Sequence, residues 1–167
     1  EIGMGSGRFA KPLGIHEGIE PSYEMRRLAH QRGLEAEFGI AEQLPLEDGT
    51  FDQALMVTTI CFVDDPDKAL QEIYRILKPQ GEIVIGFVDK ESPVGQIYQE
   101  NKEKSRFYHQ ALFFSADEIG DRLIKNGFEN IRFVQTLFSR LDEIHAVHGV
   151  TEGYGEGSFV VACGKKK

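Results

Sequence analysis

The chain begins Glu1-Ile2-Gly3-Met4-Gly5-Ser6-Gly7, three glycines at alternate positions behind a carboxylate. Glycine adopts positive φ readily, so such a stretch can turn sharply and bring its backbone close to a ligand. A helix beside it, expected over Ser6 to Leu13 before Pro12 and Gly14 cut it off, would add free N–H groups and the positive end of a dipole. Glu20 extends the set, because a carboxylate ending the next strand can accept from the paired hydroxyls of a ribose. The chemistry on offer is the binding of a nucleoside-like molecule. The dinucleotide pattern G-x-G-x-x-G/A fits poorly, since Arg8 fills its third small position and the third glycine comes one step early. An NAD-dependent oxidoreductase would also need a second half-sheet or a catalytic domain, for which 167 residues are too few.

Groups able to move a proton lie late in the chain. Tyr98, Tyr108 and His109 follow the fifth expected strand, and His145, His148 and Tyr154 lie between the sixth and seventh. Tyr108, His109, His145 and His148 are the candidates for a base, and none is singled out. His145-x-x-His148 lacks the third and fourth ligands of a metal site, so no metal is expected. Cys61 and Cys163 sit in apolar contexts without a CxxC spacing, which reads as two reduced, buried thiols and a cytoplasmic protein.

Strands and helices alternate to position these groups. Glu1-Ile2 reads as the tail of a strand, Ile15–Glu20 and Glu35–Ile40 as the next two, and "FDQALMVTT" as a central one covered on both faces. Ser22 caps a helix to about Arg32, with Gly33 as its stop. A second runs from Pro66 to Leu77, with Ala69, Leu70, Ile73, Ile76 and Leu77 on one face, and Lys78-Pro79-Gln80-Gly81 ends it. "EIVIGFV" is the fifth strand. Asp89–Ala111 is polar and partly helical, Ser115 opens a helix to Asn126, and "FENIRFVQTLF" and "SFVVACG" complete seven strands. The pattern predicts one domain over residues 1–167, a three-layer α/β sandwich whose sheet is mostly parallel, with ligands at the carboxyl ends of its strands.

The spacing G-x-G-x-G behind an acidic residue resembles the first motif of class I S-adenosylmethionine-dependent methyltransferases, of the Rossmann-like, small-molecule type grouped as methyltransferase domain 11. "GIEPS", "GIAEQLPLEDGTFD", "ALQEIYRILKPQGEIVIG" and "NGFENI" continue the resemblance in the family's order over nearly the whole chain. It implies a seven-stranded sheet with an antiparallel last strand, S-adenosyl-L-methionine as cofactor, and residues ahead of Glu1 that supply a helix and most of the first strand. It also implies a site. Glu1 would lie near the methionine amino group, and Gly3, Met4, Gly5 and Ser6 beside the methionine and ribose. Glu20 would hold the ribose, with Pro21, Ser22 and Met25 around the adenine and Ala41, Glu42 and Gln43 at its edge. Val57 and Thr58 would pass below the sulfonium, with Phe62 and Val63 closing the side.

Such a donor is already activated, so the protein must align a nucleophile, exclude water and, where the nucleophile carries a proton, accept it. The expected acceptor is a small molecule with an N, O or C nucleophile; a scaffold that binds the cofactor without turnover is the alternative. A formal charge of −8, with Lys165-Lys166-Lys167 as the sole basic run, argues against nucleic acid. "TTICFVDDP" replaces the Pro-Pro motif of the family's adenine methylators, and two cysteines are too few for an arsenite methylator. No apolar run of about 18 residues suggests a membrane span. Phe107, Tyr108, Phe113 and Phe114 could wall an apolar acceptor pocket and a cationic amine would suit the acidic balance, whereas oligomeric state is not readable.

Overall fold

A computed structural model describes residues 1–139 and 141–167 of the chain. Short strands β1 (Glu17–Ile19) and β2 (Glu35–Glu37) pair in parallel and flank helix α1 (Tyr23–Gln31). Ser22 caps that helix as its type predicts, accepting from the Met25 amide at 3.4 Å. A small cluster of Met4, Ala10, Ala29, Leu34 and Ala36 fixes α1 and the opening loop against β2.

β3 (Phe51–Val57) leads to α2 (Pro66–Ile76), which Asp65 caps with Pro66 at the first position, and then to β4 (Leu77–Val88). After α3 (Pro93–Glu100), Ser115 and Glu118 form a reciprocal capping box for α4 (Ala116–Lys125). β5 (Phe128–Thr136), the two-residue β6 (Thr151–Glu152) and β7 (Phe159–Lys166) end the chain. β3 and β4 are parallel, and β7 inserts antiparallel between β4 and β5, giving the order β3-β4-β7-β5-β6. The core lies where α2 and α4 meet this sheet: Leu70, Ile73, Ile76, Ile119 and Leu123 close on Met56, Ile83 and Ile85, all essentially without exposure.

Ile2 connects the two sheets. Its amide donates to Leu55 O at 2.8 Å, and it bridges in parallel to Ile19, whose amide donates to Glu1 O at 2.9 Å. The expected first strand is therefore present as one bridging residue between β1 and β3. The carboxyl ends of β1, β3 and β4 consequently open on one side, toward the glycine loop.

Several boundaries differ from expectation. Ser6 to Leu13 is not a helix: only a 3-10 turn at Lys11–Leu13 forms, because Gly3, Gly5 and Gly7 all take positive φ, and Gly7 N–H turns back to Met4 O at 2.9 Å. The strands expected over 15–20 and 35–40 shrink to three residues each. β4 begins five residues before Glu82: Leu77 already pairs with Phe51, and Gln80 at φ 66° then throws the strand into a register shift. β6 is an extra edge strand that the alternation did not announce.

Candidate functional site

The opening loop is built by three glycines placed there for two different reasons. A Cβ on Gly3 would overlap Thr59, and one on Gly7 would overlap Leu34, so both mark close packing. A Cβ on Gly5 would meet nothing within 4 Å. Gly5 instead faces a cavity of about 490 Å³, within the roughly 300–1,000 Å³ range of small-molecule sites.

Glu20 anchors one wall. It is 7% exposed, with Oε2 accepting from Gly5 N–H and Oε1 from Ser22 N–H, both at 2.8 Å. Each oxygen keeps a second acceptor position, so the carboxylate that shapes the loop can still receive a diol. Opposite it, the end of β3 is held by an unusual backbone. Thr58 has φ 51°, costly for a β-branched residue, and its amide is tied to Gly86 O at 2.7 Å. Thr59 Oγ1 lies 3.2 Å from Gly3 O and 3.0 Å from Val57 O, able to donate to either, which fastens the glycine loop to β3.

The third wall is the segment after β2. Its backbone is fixed from outside by Arg75, whose guanidinium donates to Leu44 O, Leu46 O, Asp48 and Glu72, while Glu72 accepts from Leu44 N–H. The Arg75 hydrogen bond, followed by that of Leu44, holds the Glu72 carboxyl below its ordinary range, and the same carboxylates hold Arg75 firmly charged. Glu42 closes the ring of loops: its Oε1 accepts from Asp64 N–H at 2.7 Å and Asp65 N–H at 3.3 Å.

The residues singled out by sequence gather here with three exceptions. Gly3, Met4, Gly5, Ser6, Glu20, Pro21, Met25, Ala41, Glu42, Val57, Thr58, Phe62 and Val63 all line the cavity. Ser22 does not line it; its side chain caps α1. Gln43 points to a separate groove beside Phe38 and Pro45, turned there by the Ile40–Gln43 bridge. Glu1 lines a different cavity with Glu17 and Phe51. Its carboxylate is buried with the Ala10 amide nearby but no hydrogen bond formed. Burial pushes it up to about 7, against the pull of the adjacent amino group. The cavity also takes in Arg8, Phe9, Ile19, Gly39, Ile40, Thr59 and Asp64, none singled out by sequence. Thr59 and Asp64 follow directly on residues that were, so the loop's continuation was the available signal.

The candidate bases separate in the same way. His109 and His145 are exposed, and His148 accepts from Phe138 N–H at 3.1 Å and stacks on its ring; none of the three lines either this cavity or its neighbour. Tyr154 donates to Asp117 at 2.5 Å. Tyr108, with Tyr98, instead lines a small apolar cavity that also takes in Cys61 and Phe113 and shares Thr58 with the large one. Burial, then the neighbouring Tyr98 and Cys61, raises the Tyr108 phenol, and burial pushes the Cys61 thiol up to about 11. Among the described residues no group of three or more His, Cys, Asp or Glu could hold a metal ion.

Residues 1–85 match the family described as "Methyltransferase domain". An uncharacterized protein of Methanocaldococcus jannaschii is 43% identical over 166 residues, 99% of this chain and 80% of that protein. A Thermotoga maritima crystal structure, described as a SAM-dependent methyltransferase and possible histamine N-methyltransferase, is 55% identical with a TM-score of 0.97, covering 99% of this chain and 80% of that one. Phosphoethanolamine N-methyltransferase 2 of Caenorhabditis elegans is 30% identical over 152 residues, 86% of this chain but 34% of that protein.

Proposed function

The chain belongs to the class I S-adenosylmethionine-dependent methyltransferases, and we propose that its 490 Å³ cavity holds S-adenosylmethionine with Glu20 at the ribose hydroxyls and the Gly3–Ser6 loop along the methionine portion. The protein transfers a methyl group to a small-molecule acceptor. The observation that carries the site assignment is Glu20: a buried carboxylate fixed by two backbone amides at the cavity wall, each oxygen with acceptor capacity left. Pro21, Met25, Ile40 and Ala41 give that end of the cavity the apolar surface an adenine needs.

When bound, the cofactor supplies an electrophilic methyl group on a sulfonium whose sulfur departs as a neutral thioether. The chain's own residues then have binding and exclusion to perform. Thr58 and Val57 form the floor beneath the reacting region, Phe62 and Val63 its side, and Glu42 keeps the loop of Asp64 closed on it.

The relatives' names support a small acceptor, in one an amine and in the other a phosphorylated amine, and the net charge of −8 disfavours a polyanionic one. No helix of the described residues is long and apolar enough to cross a membrane, and two free cysteines favour a reducing, cytoplasmic setting. Calorimetric titration with S-adenosylmethionine, S-adenosylhomocysteine and NAD tests the reading. Micromolar binding of the first two, lost in Glu20→Ala, supports it, and binding of NAD alone would overturn it.

A further inference from the structure

Beside the proposed cofactor cavity stands a series of rings. Phe62 and Tyr108 stack with centroids 5.9 Å apart at 15°, and Tyr108 and Tyr98 at 5.0 Å and 23°. Phe113 leans on both tyrosines, 5.8 Å from Tyr108 and 6.2 Å from Tyr98. The rings come from separate parts of the chain: Phe62 from the turn after β3, Tyr98 from α3, and the other two from the segment before α4. Core packing accounts poorly for them, since Phe62 is 48% exposed and the other three are only partly buried, whereas the residues of the true core have essentially no exposure.

Three features decide what this cluster would hold. The small cavity walled by Tyr98, Tyr108 and Phe113, about 20 Å³, carries no acidic or basic side chain, its polar groups being hydroxyls and the Cys61 thiol, which is engaged with Thr58 O at 3.6 Å, while Phe62 stands on the large cavity beside it. The cation–ring contacts among the described residues use Tyr23, Phe38, Phe114 and Tyr74, so none of these four rings is matched to a cation of the protein. The cavity also shares Thr58 with the large one, which sets it beside the proposed methyl-transfer position.

We propose that Phe62, Tyr98, Tyr108 and Phe113 form the acceptor subsite and that it receives a small organic amine as the free base, whose methylated product is a cation. Ring faces are negative and attract a desolvated ammonium most strongly where water is excluded. Methylation makes that attraction count. The amine's lone pair forms the new N–C bond while the donor's S–C bond breaks with its electron pair left on sulfur, so the positive charge passes to nitrogen beside the rings. The proton that the amine carries in solution is left to bulk water before the nitrogen enters, so the group that attacks has its lone pair. The site's own groups fit a nucleophile that brings its lone pair, because the Tyr108 phenol and the Cys61 thiol are both held protonated near neutral pH. A cavity of about 20 Å³ is too small for such an amine, so the proposal requires Tyr108, whose ring stands between Phe62 and Tyr98, to turn aside when the acceptor binds.

This proposal rests on the cofactor reading above, and its test separates the two. Two of the chain's five tyrosines, Tyr98 and Tyr108, stand in the cluster and there is no tryptophan, so calorimetry is the primary readout and a change in tyrosine fluorescence that is lost in the Tyr98 and Tyr108 variants is the second. Protein saturated with S-adenosylhomocysteine is titrated with choline, a permanent cation, and with 3,3-dimethylbutan-1-ol, its neutral isostere. Choline is expected to bind about tenfold or more tightly than the alcohol. Tyr108→Leu and Tyr98→Leu should erase that preference and Tyr108→Phe should keep it, with S-adenosylhomocysteine affinity unchanged in all three. Equal binding of the alcohol, or no binding of either by protein that does bind S-adenosylhomocysteine, overturns the ammonium subsite alone. Failure to bind S-adenosylhomocysteine overturns the cofactor reading and this proposal with it.

Discussion

Gly3 and Gly5 share a motif and a left-handed backbone, with φ 68° and 55°, yet alanine at the two positions should fail for different reasons. The conformational penalty is common to both, roughly 1–2 kcal/mol for an L-residue forced into that region. Gly5→Ala adds nothing further to the folded chain, because its Cβ stands in open space. Gly3→Ala places its Cβ 2.2 Å from Thr59 Cγ2, 2.4 Å from Oγ1 and 2.8 Å from the Thr59 Cβ itself. A β-branched side chain offers few rotamers for escape, so the whole residue must shift, adding about 1–3 kcal/mol of overpacking. At about 2–4 °C per kcal/mol for a chain of this size, Gly5→Ala should lower Tm by about 2–8 °C and Gly3→Ala by about 4–20 °C. Binding should show the reverse emphasis. The Gly5 methyl group projects toward the ligand, so S-adenosylhomocysteine affinity should fall about ten- to a hundredfold in a protein that remains folded. Thermal denaturation alongside calorimetry gives both numbers. Gly5→Ala with undiminished affinity would refute placement of the cofactor against this loop, and equal Tm losses would refute the steric distinction between the two glycines.

Glu20→Gln should weaken cofactor binding by about tenfold or more, since the amide oxygen can accept from one of the Gly5 and Ser22 N–H groups but the NH2, a donor, cannot accept from the other; calorimetry against the wild type reads this. Thr58→Gly should raise Tm by about 2–4 °C through relief of a positive φ, while methyl-transfer kcat falls as the cavity floor loses its side chain, measured by initial rates with a responsive acceptor. Arg75→Lys should destabilise by about 1–3 kcal/mol in urea, because one ammonium cannot replace a fork that reaches two backbone carbonyls and two carboxylates. Asp67 sets an acid limit. The Lys125 hydrogen bond, aided by Arg122 and Asn126, draws its carboxyl from 3.8 down to about 2, so its contribution is complete above pH 3.8 and is lost as pH falls through about 2. Asp67→Asn should flatten that part of the stability–pH curve.

What the sequence disclosed depended on whether a residue's type constrains its place. Glycines at 3, 5 and 7 admit few explanations, and a carboxylate after the second strand admits few more, so the loop and Glu20 were legible, as was Ser22 as a cap. The Ser22 hydroxyl caps α1 through the Met25 amide and lies outside the cavity lining. The expected helix after the glycines fails by the same physics that makes the loop useful, because Gly7 at positive φ cannot lie inside an α-helix that was to run from Ser6 to Leu13. Thr58 is the opposite case. A β-branched residue gives no sign that it will occupy the left-handed region, and only the tie to Gly86 O and the packing of Thr59 against Gly3 reveal what holds it there. That pairing explains why the first glycine and the end of β3 belong to one site although 55 residues of chain separate Gly3 from Thr59. The glycine is small so that the threonine can reach across, and the strain at Thr58 is the cost of turning β3 away at the cavity wall.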